Sequence, residues 1–311
     1  MARRALVIGA TGLLGSDTTN KLCRAGWQVR AVGIEKAEDV KNLFDGHVEY
    51  IGGDFYDEKF LGSVLKGVDK VFFFLASTFP STSSDSLDKE VNRTLFGLDY
   101  LVRKMRDLNV SQLVFPSSGG TIYGNVESGE VNEECALNPT VPYGVGKKMC
   151  EEILKFYSRH GVYSTVLRIG NVYGSKTTRS SAQGVIDVFV QKGLRGETAE
   201  VWSDALTSVR DYIFSDDLSD AIVKIGEFDS SSFDVYNLGS GVGVTLSEIV
   251  EIINKNIPTP LKVMRIENSY TSSIKRIVLS MDKFYKKTGW RPKYDIESGI
   301  KETVKRKMIK Q

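Results

Sequence analysis

The 311-residue chain has almost no net charge: 41 basic and 39 acidic side chains leave +2. That balance offers no field for a nucleic-acid backbone or an anionic membrane, so neither is expected as a partner. Cysteine is scarce. Cys23, Cys135 and Cys150 are odd in number and unpatterned, which argues against a disulfide framework and gives no metal-ligand spacing, so no metal is expected. Histidine is scarcer still. His47 and His160 are the only two, both expected in loops, and they are a poor basis for histidine catalysis. No apolar run approaches the roughly 18 residues needed to cross a bilayer. Met-Ala-Arg-Arg leads straight into a strand pattern, with no room for a signal peptide. A soluble cytoplasmic protein is therefore expected. No Gly-, Ser- or Pro-rich linker divides the chain, so its parts are expected to pack as one unit. The run at 78–86, Thr-Phe-Pro-Ser-Thr-Ser-Ser-Asp-Ser, is low in complexity and is expected as a mobile loop at the mouth of a site.

What is present is a 41 % share of hydrophobic residues, ample for a core, arranged in alternating strand and helix patterns. The chain is organised around Leu6-Val7-Ile8-Gly9-Ala10-Thr11-Gly12-Leu13-Leu14-Gly15. A short apolar run reads as a buried strand, and the spacing of Leu14, Thr18, Leu22 and Ala25 reads as a helix. Between them stand three glycines, as a dinucleotide site requires. Gly9 permits a sharp turn, Gly12 a close approach to a pyrophosphate, and Gly15 tight packing of helix on strand. The helix N-terminus offers N–H groups to the phosphates. Further strands are expected at 28–32, 48–52, 70–75, 112–115 and 164–168, and helices at 36–44, 57–66, 88–108 and 142–159. Six strands with intervening helices predict an α/β fold, a Rossmann-type doubly wound parallel sheet. After residue 174 the strands shorten (199–202, 211–213, 234–237, 277–279), with helices near 184–194, 215–226, 245–255 and 296–308. This predicts a dinucleotide-binding domain at 1–174 and a smaller C-terminal lobe at 175–311. The basic residues Lys301, Lys305, Arg306, Lys307 and Lys310 are expected on a solvated helix face.

Tyr143 and Lys147 stand four apart on a predicted helix and so share a face. A lysine cation beside a phenol favours the phenolate. Such a pair can take a proton from an alcohol while hydride leaves for a nicotinamide. A second Tyr-x-x-x-Lys, Tyr100 to Lys104, lies inside a long helix with no loop near it. Tyr143 instead opens its helix, and context selects it.

Here the chain resembles the extended short-chain dehydrogenases/reductases, in particular the nucleotide-sugar epimerases and dehydratases, over nearly its whole length. The resemblance implies NAD or NADP contacts from Gly9, Thr11, Gly12, Leu13, Leu14 and Gly15, from Asp54 and Phe55 after the third strand, and from Leu75, Ala76 and Ser77 after the fourth. It implies a catalytic Ser/Thr loop at Ser117-Ser118-Gly119-Gly120-Thr121-Ile122-Tyr123-Gly124, with Ser117 near the cofactor, and a catalytic helix opening at Pro142-Tyr143-Gly144-Val145-Gly146-Lys147. Asn171 in Leu-Arg-Ile-Gly-Asn-Val-Tyr-Gly would meet a nucleotide diphosphate, and Arg210 in Val-Arg-Asp-Tyr would hold a phosphate. Tyr236-Asn237-Leu238-Gly239-Ser240-Gly241 and Thr288-Gly289-Trp290-Arg291-Pro292 complete the match.

Three departures stand out. The family's catalytic Ser/Thr position is Gly119, so Ser118, Thr121 or a water would have to donate. The Asp-Glu pair of the 4,6-dehydratases is Gly120-Thr121, which argues against water elimination. A second phosphate-binding arginine expected near 270 is Tyr270, with Arg276 or Arg265 as substitutes. At the end of the second strand, Gly33 stands where NAD enzymes carry an acid, and Glu35 is the nearest one. NAD is expected as cofactor, with NADP as the alternative. The sum predicts a nucleotide-sugar 4-epimerase acting on a nucleotide-linked hexose through a 4-keto intermediate. The alternatives are a 4-keto-sugar reductase and, more remotely, a non-catalytic nucleotide sensor. Gly119 and Gly120 are expected to leave space beside Tyr143 for a sugar to rotate. A homodimer is expected through helices 88–108 and 142–159, with Leu95, Leu98, Leu101, Val102 and Met105 as the apolar face.

Overall fold

The computed structural model describes residues 2–75, 94–176, 184–267 and 274–309. The chain forms two compact units interleaved in sequence: Met1–Ser117, Pro142–Arg168 and Ser219–Tyr236 in the first, and Ser118–Val141, Ile169–Leu218 and Asn237–Gln311 in the second.

The first unit begins β1 (Arg4–Ile8), α1 (Leu13–Arg24), β2 (Gln28–Gly33), α2 (Ala37–Val40), β3 (Glu49–Gly52), α3 (Glu58–Leu65), β4 (Lys70–Phe73) and α4 (Phe96–Asp107). It continues through β5 (Gln112–Ser118), α5 (Pro142–Ser158) and β6 (Tyr163–Ile169). Then follow β7 (Asn171–Tyr173), α6 (Val185–Arg195), β8 (Thr198–Trp202), β9 (Val209–Phe214), α7 (Ser215–Gly226) and β10 (Phe233–Leu238). The chain closes with β11 (Gly243–Thr245), α8 (Leu246–Asn256), β12 (Lys262–Ile266), α9 (Asp282–Thr288) and α10 (Ile296–Met308).

Among the described residues the large sheet has seven strands in the order β3-β2-β1-β4-β5-β6-β10. The pairings of β1 with β2 and β4 are parallel, with Ile8 opposite Val32 on one side and Phe73 on the other. Strand order reverses at β1, and an open α/β sheet binds ligands beyond the carboxyl ends of its strands at such a point. Strands covered on both faces read as continuous apolar runs. Leu6, Val7, Val71 and Phe72 accordingly have no exposed surface. The sheet's core takes in Leu61, Leu65, Leu98, Leu101, Phe115, Leu154 and Val166.

The second unit holds a three-stranded sheet, β11-β9-β7, and a two-stranded one, β12-β8. Its core joins Ile186 and Val190 of α6, Ile249 and Ile253 of α8, and Ile300 and Val304 of α10. Two of these helices start on side-chain caps that satisfy their first N–H groups. Thr245 and Glu248 form a reciprocal capping box on α8, and Asp295 accepts from Ser298 N on α10.

Several expectations need correction. The segment 234–237, expected in the smaller lobe, lies in β10 and adds a seventh strand to the large sheet. Residues 277–279 form no strand, because their pairing is limited to isolated bridges such as Val131–Leu279. The helix expected at 36–44 is only four residues long. The apolar face Leu98, Leu101, Val102 and Met105 is wholly buried within the first unit and Leu95 nearly so, because it covers the sheet. The basic C-terminal face is only partly solvated. Arg306 bonds Asp216 Oδ2 at 2.8 Å and Glu302 Oε1 at 3.2 Å, and the Lys307 ammonium lies 3.3 Å from buried Asp187. Lys301 and Lys305 are exposed, as expected. The run 78–86 and the start of the helix at 88–93 lie outside the described residues.

Candidate active site

The turn after β1 is built from glycine out of steric need. Gly9 has φ +79°, and a Cβ there would stand 2.8 Å from the Phe74 carbonyl carbon. Its N–H and that of Ala10 both donate to the Val32 carbonyl at 3.0 Å, tying the turn to β2. A Cβ on Gly15 would fall 2.1 Å from the Gly9 carbonyl oxygen, so α1 can start this close to β1 only with glycine. Gly12 caps α1 with no side-chain hydrogen bond. The first N–H groups of a helix have no partner within it. Unlike α8 and α10, α1 has no side-chain cap for them, and with the dipole such groups suit an anion. Leu13, Leu14 and Gly15 carry those groups.

Glu35 lies two residues past β2, but its carboxylate returns to the strand's end. Thr11 Oγ1 donates to Glu35 Oε2 at 2.9 Å, and a Cβ on Gly33 would stand 2.9 Å from that oxygen. Tyr50 donates its hydroxyl to the Glu35 carbonyl at 2.8 Å. The acid expected at Gly33 is thus supplied in space by Glu35. Asp54 accepts from Tyr56 N at 2.9 Å in the turn after β3. The Phe55 side chain is buried against Phe73 and Tyr100, leaving only its backbone for a ligand. Leu75 is 38 % exposed past the end of β4. Ala76 and Ser77 lie outside the described residues. These features fit a dinucleotide: a pyrophosphate cradle at α1 and a carboxylate for ribose hydroxyls at the tip of β2.

Tyr143 is half-buried in the first turn of α5. Lys147 is buried one turn later. Its ammonium donates to the Pro116 carbonyl at 2.8 Å and stands 5.6 Å from the Tyr143 ring centroid and 4.8 Å from that of Phe115. One turn further, buried Glu151 accepts from Ser117 Oγ at 2.6 Å and pairs with Arg168 through Nε at 3.1 Å and Nη2 at 2.8 Å. Sequence reasoning missed Glu151 and Arg168. Their signal was an acid four residues past Lys147 and an arginine inside the apolar run of β6.

In the second unit, Thr121 Oγ1 donates to Ser118 Oγ at 2.8 Å, and both residues are buried. Ser118's own hydroxyl proton is therefore left to donate elsewhere. Tyr123 donates to Asn237 Oδ1 at 2.6 Å, and Asn237 Nδ2 donates to the Val131 carbonyl at 2.8 Å, which fixes the loop that follows. At Gly120, Asn171 Oδ1 lies 2.8 Å from where a Cβ would stand. An acid at 120 would meet that amide. Arg210 donates to the backbone carbonyls of Val209, at 3.0 Å, and Ile274. Among the described residues its guanidinium forms no ion pair, and burial lowers its pKa. Arg276 lies on the neighbouring segment, bridged to Val209, with its Nε 3.4 Å from the Gly129 carbonyl. Arg265 is exposed on β12, and Tyr270 lies outside the described residues. Buried Asp211 accepts from Ser240 N at 2.6 Å, Gly241 N at 3.1 Å and Leu279 N at 3.1 Å. Among the described residues no group of His, Cys, Asp and Glu could hold a metal ion, and no helix is long and apolar enough to cross a membrane.

A UDP-glucose 4-epimerase of Mycolicibacterium smegmatis is 27 % identical over 309 residues, covering 97 % of each chain. A dTDP-4-dehydro-6-deoxyglucose reductase of Escherichia coli is 29 % identical over 238 residues, 76 % of this chain and 74 % of that one. The crystal structure of a Thermus thermophilus UDP-glucose 4-epimerase in complex with NAD superposes with a TM-score of 0.88 at 26 % identity, covering 98 % of this chain and 99 % of that one. Residues 5–239 match the NAD dependent epimerase/dehydratase family, and the chain belongs to that family.

Proposed function

We propose that this chain is an NAD-dependent nucleotide-sugar 4-epimerase. The observation that carries the reading is the Tyr143–Lys147 pair, with the lysine anchored on the Pro116 carbonyl 2.8 Å away and its charge 5.6 Å from the phenol ring. Gly9, Gly12 and the opening N–H groups of α1 would hold the pyrophosphate, Glu35 and Thr11 the adenosine ribose, and Lys147 the nicotinamide ribose. Bound there, the nicotinamide supplies a reversible hydride acceptor. Tyr143 takes the proton of the sugar's 4-hydroxyl and, once the ring has presented its other face, gives it back to the 4-keto oxygen. Lys147 keeps its positive charge 5.6 Å from the phenol ring during that transfer. Ser118, backed by Thr121, donates to the reacting oxygen. Asn171, Arg210 and Arg276 hold the diphosphate of the substrate. The names of the relatives point to a UDP-linked hexose.

The reductase is the second reading, favoured by the 29 % identical relative of that activity. An epimerase returns the hydride it takes and runs on catalytic NAD; a reductase consumes NAD(P)H. The test incubates the protein with UDP-glucose, UDP-N-acetylglucosamine and their 4-epimers, with NAD and no reductant, and follows them by NMR. Interconversion supports the epimerase. Inertness, together with NAD(P)H oxidation by a nucleotide-linked 4-keto-6-deoxy sugar, would replace it with the reductase.

The same proposal includes a homodimer through the outer faces of α4 and α5. Phe96, Met149 and Phe156 are 59 %, 40 % and 55 % exposed there, apolar surface that the first unit leaves uncovered. A monomeric mass at micromolar concentration in solution scattering would exclude it.

A further inference from the structure

Helix α5 grips the end of β5 with two side chains one turn apart. Lys147 Nζ donates to the Pro116 carbonyl at 2.8 Å, and Glu151 Oε1 accepts from the next residue's hydroxyl, Ser117 Oγ, at 2.6 Å. Arg168 on β6 holds both oxygens of Glu151, Nε to Oε1 at 3.1 Å and Nη2 to Oε2 at 2.8 Å. The side chains of Glu151 and Arg168 are 3 % and 6 % exposed. A buried ion pair of this kind is a weak source of stability, since apolar residues of similar volume often serve as well. Its presence here calls for another role. The Ser117 bond joins α5 to the residue next to the carbonyl that anchors Lys147. With Glu151 fixed by Arg168, the Pro116–Ser117 segment cannot shift along α5 without breaking a charge-assisted bond. We infer that Glu151, held by Arg168, is a positioning residue that acts through Ser117 to fix the Pro116 carbonyl and thereby the Lys147 ammonium against Tyr143. In this arrangement the Ser117 hydroxyl proton serves Glu151 and is not offered to the cofactor.

The inference rests on the proposed role of Tyr143 and Lys147. Its central test replaces the ion pair by two apolar residues, Glu151→Leu with Arg168→Leu, which changes no net charge and leaves no charge buried alone. Three further proteins complete a cycle: Ser117→Ala, the triple variant, and Ser117→Thr, which keeps the hydroxyl. Both kcat for the nucleotide sugar and the dissociation constant for NAD, read by protein fluorescence, are measured. The expected result is a loss of about tenfold in kcat and a weaker NAD affinity in both the double variant and Ser117→Ala, the size of one positioned hydrogen bond. KM for the sugar stays near the wild-type value, and Ser117→Thr restores most of the loss. In the triple variant Ser117→Ala costs nothing beyond the double variant, because the bond it removes is already gone. Additive losses would mean that Ser117 meets the cofactor directly, and would overturn the inference. So would a double variant that folds with wild-type kcat and NAD affinity. Should the double variant fail to fold, Ser117→Ala against Ser117→Thr still tests whether the hydroxyl acts at all: equal values for the two overturn the inference. Should the wild type bind NAD but turn over no sugar, the functional reading falls, and the NAD affinities around the cycle still decide the inference.

Discussion

Thr11 and Glu35 meet across the tip of the sheet: the threonine hydroxyl donates to Glu35 Oε2 at 2.9 Å, beside the place where Gly33 has no side chain. The carboxylate so held is free to accept from ribose hydroxyls and would repel a 2′-phosphate. Glu35→Gln should weaken NAD binding by on the order of tenfold, as loss of one charged acceptor does. Its discrimination against NADP should narrow. Titration of wild type and variant with NAD and NADP checks this. An unchanged ratio of the two affinities would remove Glu35 from the cofactor site.

Tyr143→Phe keeps the packing of the half-buried ring and removes the hydroxyl. Turnover should fall by roughly 10²–10⁴, the range for a positioned acid–base group, with NAD affinity nearly unchanged. Near-normal turnover would reject the assignment.

The Ser118–Thr121 bond orders two substitutions that the sequence leaves equal. Thr121's proton is committed to Ser118 Oγ at 2.8 Å, so of the two hydroxyls Ser118 is the one that keeps a proton to give. Ser118→Ala should cost on the order of 10²-fold in kcat. Thr121→Ala should cost less, because Ser118 keeps its hydroxyl. A larger loss from Thr121→Ala would reverse the roles.

Arg210 is held by two backbone carbonyls and forms no ion pair among the described residues, which leaves its charge for an anion. Arg210→Met should raise KM for a nucleotide sugar by about 10–100-fold, the worth of a charge-assisted bond, with a smaller change in kcat. Steady-state kinetics decides it. An unchanged KM would place the diphosphate elsewhere.

Asp211 next to it gives a pH signature. Burial raises its carboxyl from 3.8 to about 6, against the donors of Ser240, Leu279 and Gly241. The folded chain therefore binds this proton more tightly than the unfolded one. The group's contribution to stability is highest below about pH 4 and is lost as pH rises to about 6. Asp211→Asn cannot titrate, and its amide would turn donors toward backbone N–H groups, so it should be less stable throughout. The wild type's advantage should shrink between pH 4 and 6, measured by denaturant unfolding at fixed salt. An advantage that grows with pH would contradict the raised value.

Features whose causes are local are legible along the chain. Three glycines between an apolar run and a helical pattern specify the phosphate turn, because no other residue fits Gly9 or Gly15 there. Tyr143 and Lys147 share a face through helix geometry alone, and continuous apolar runs mark the strands of a covered sheet. Features that depend on residues distant in the chain emerge only from its packing. That packing returned Glu35 to the tip of β2 through Thr11, placed β10 beside β6, and set Asn171 against Gly120. It also turned Glu151, Arg168 and Ser117 into one buried group, and drew Arg306 from the predicted solvated face onto the Gly174 carbonyl, 132 residues away in sequence, at 2.7 Å. Periodicity reports which face of an element is buried. It does not report which distant side chain meets that face, since packing and the need to satisfy each buried charge settle that only when the whole chain has closed.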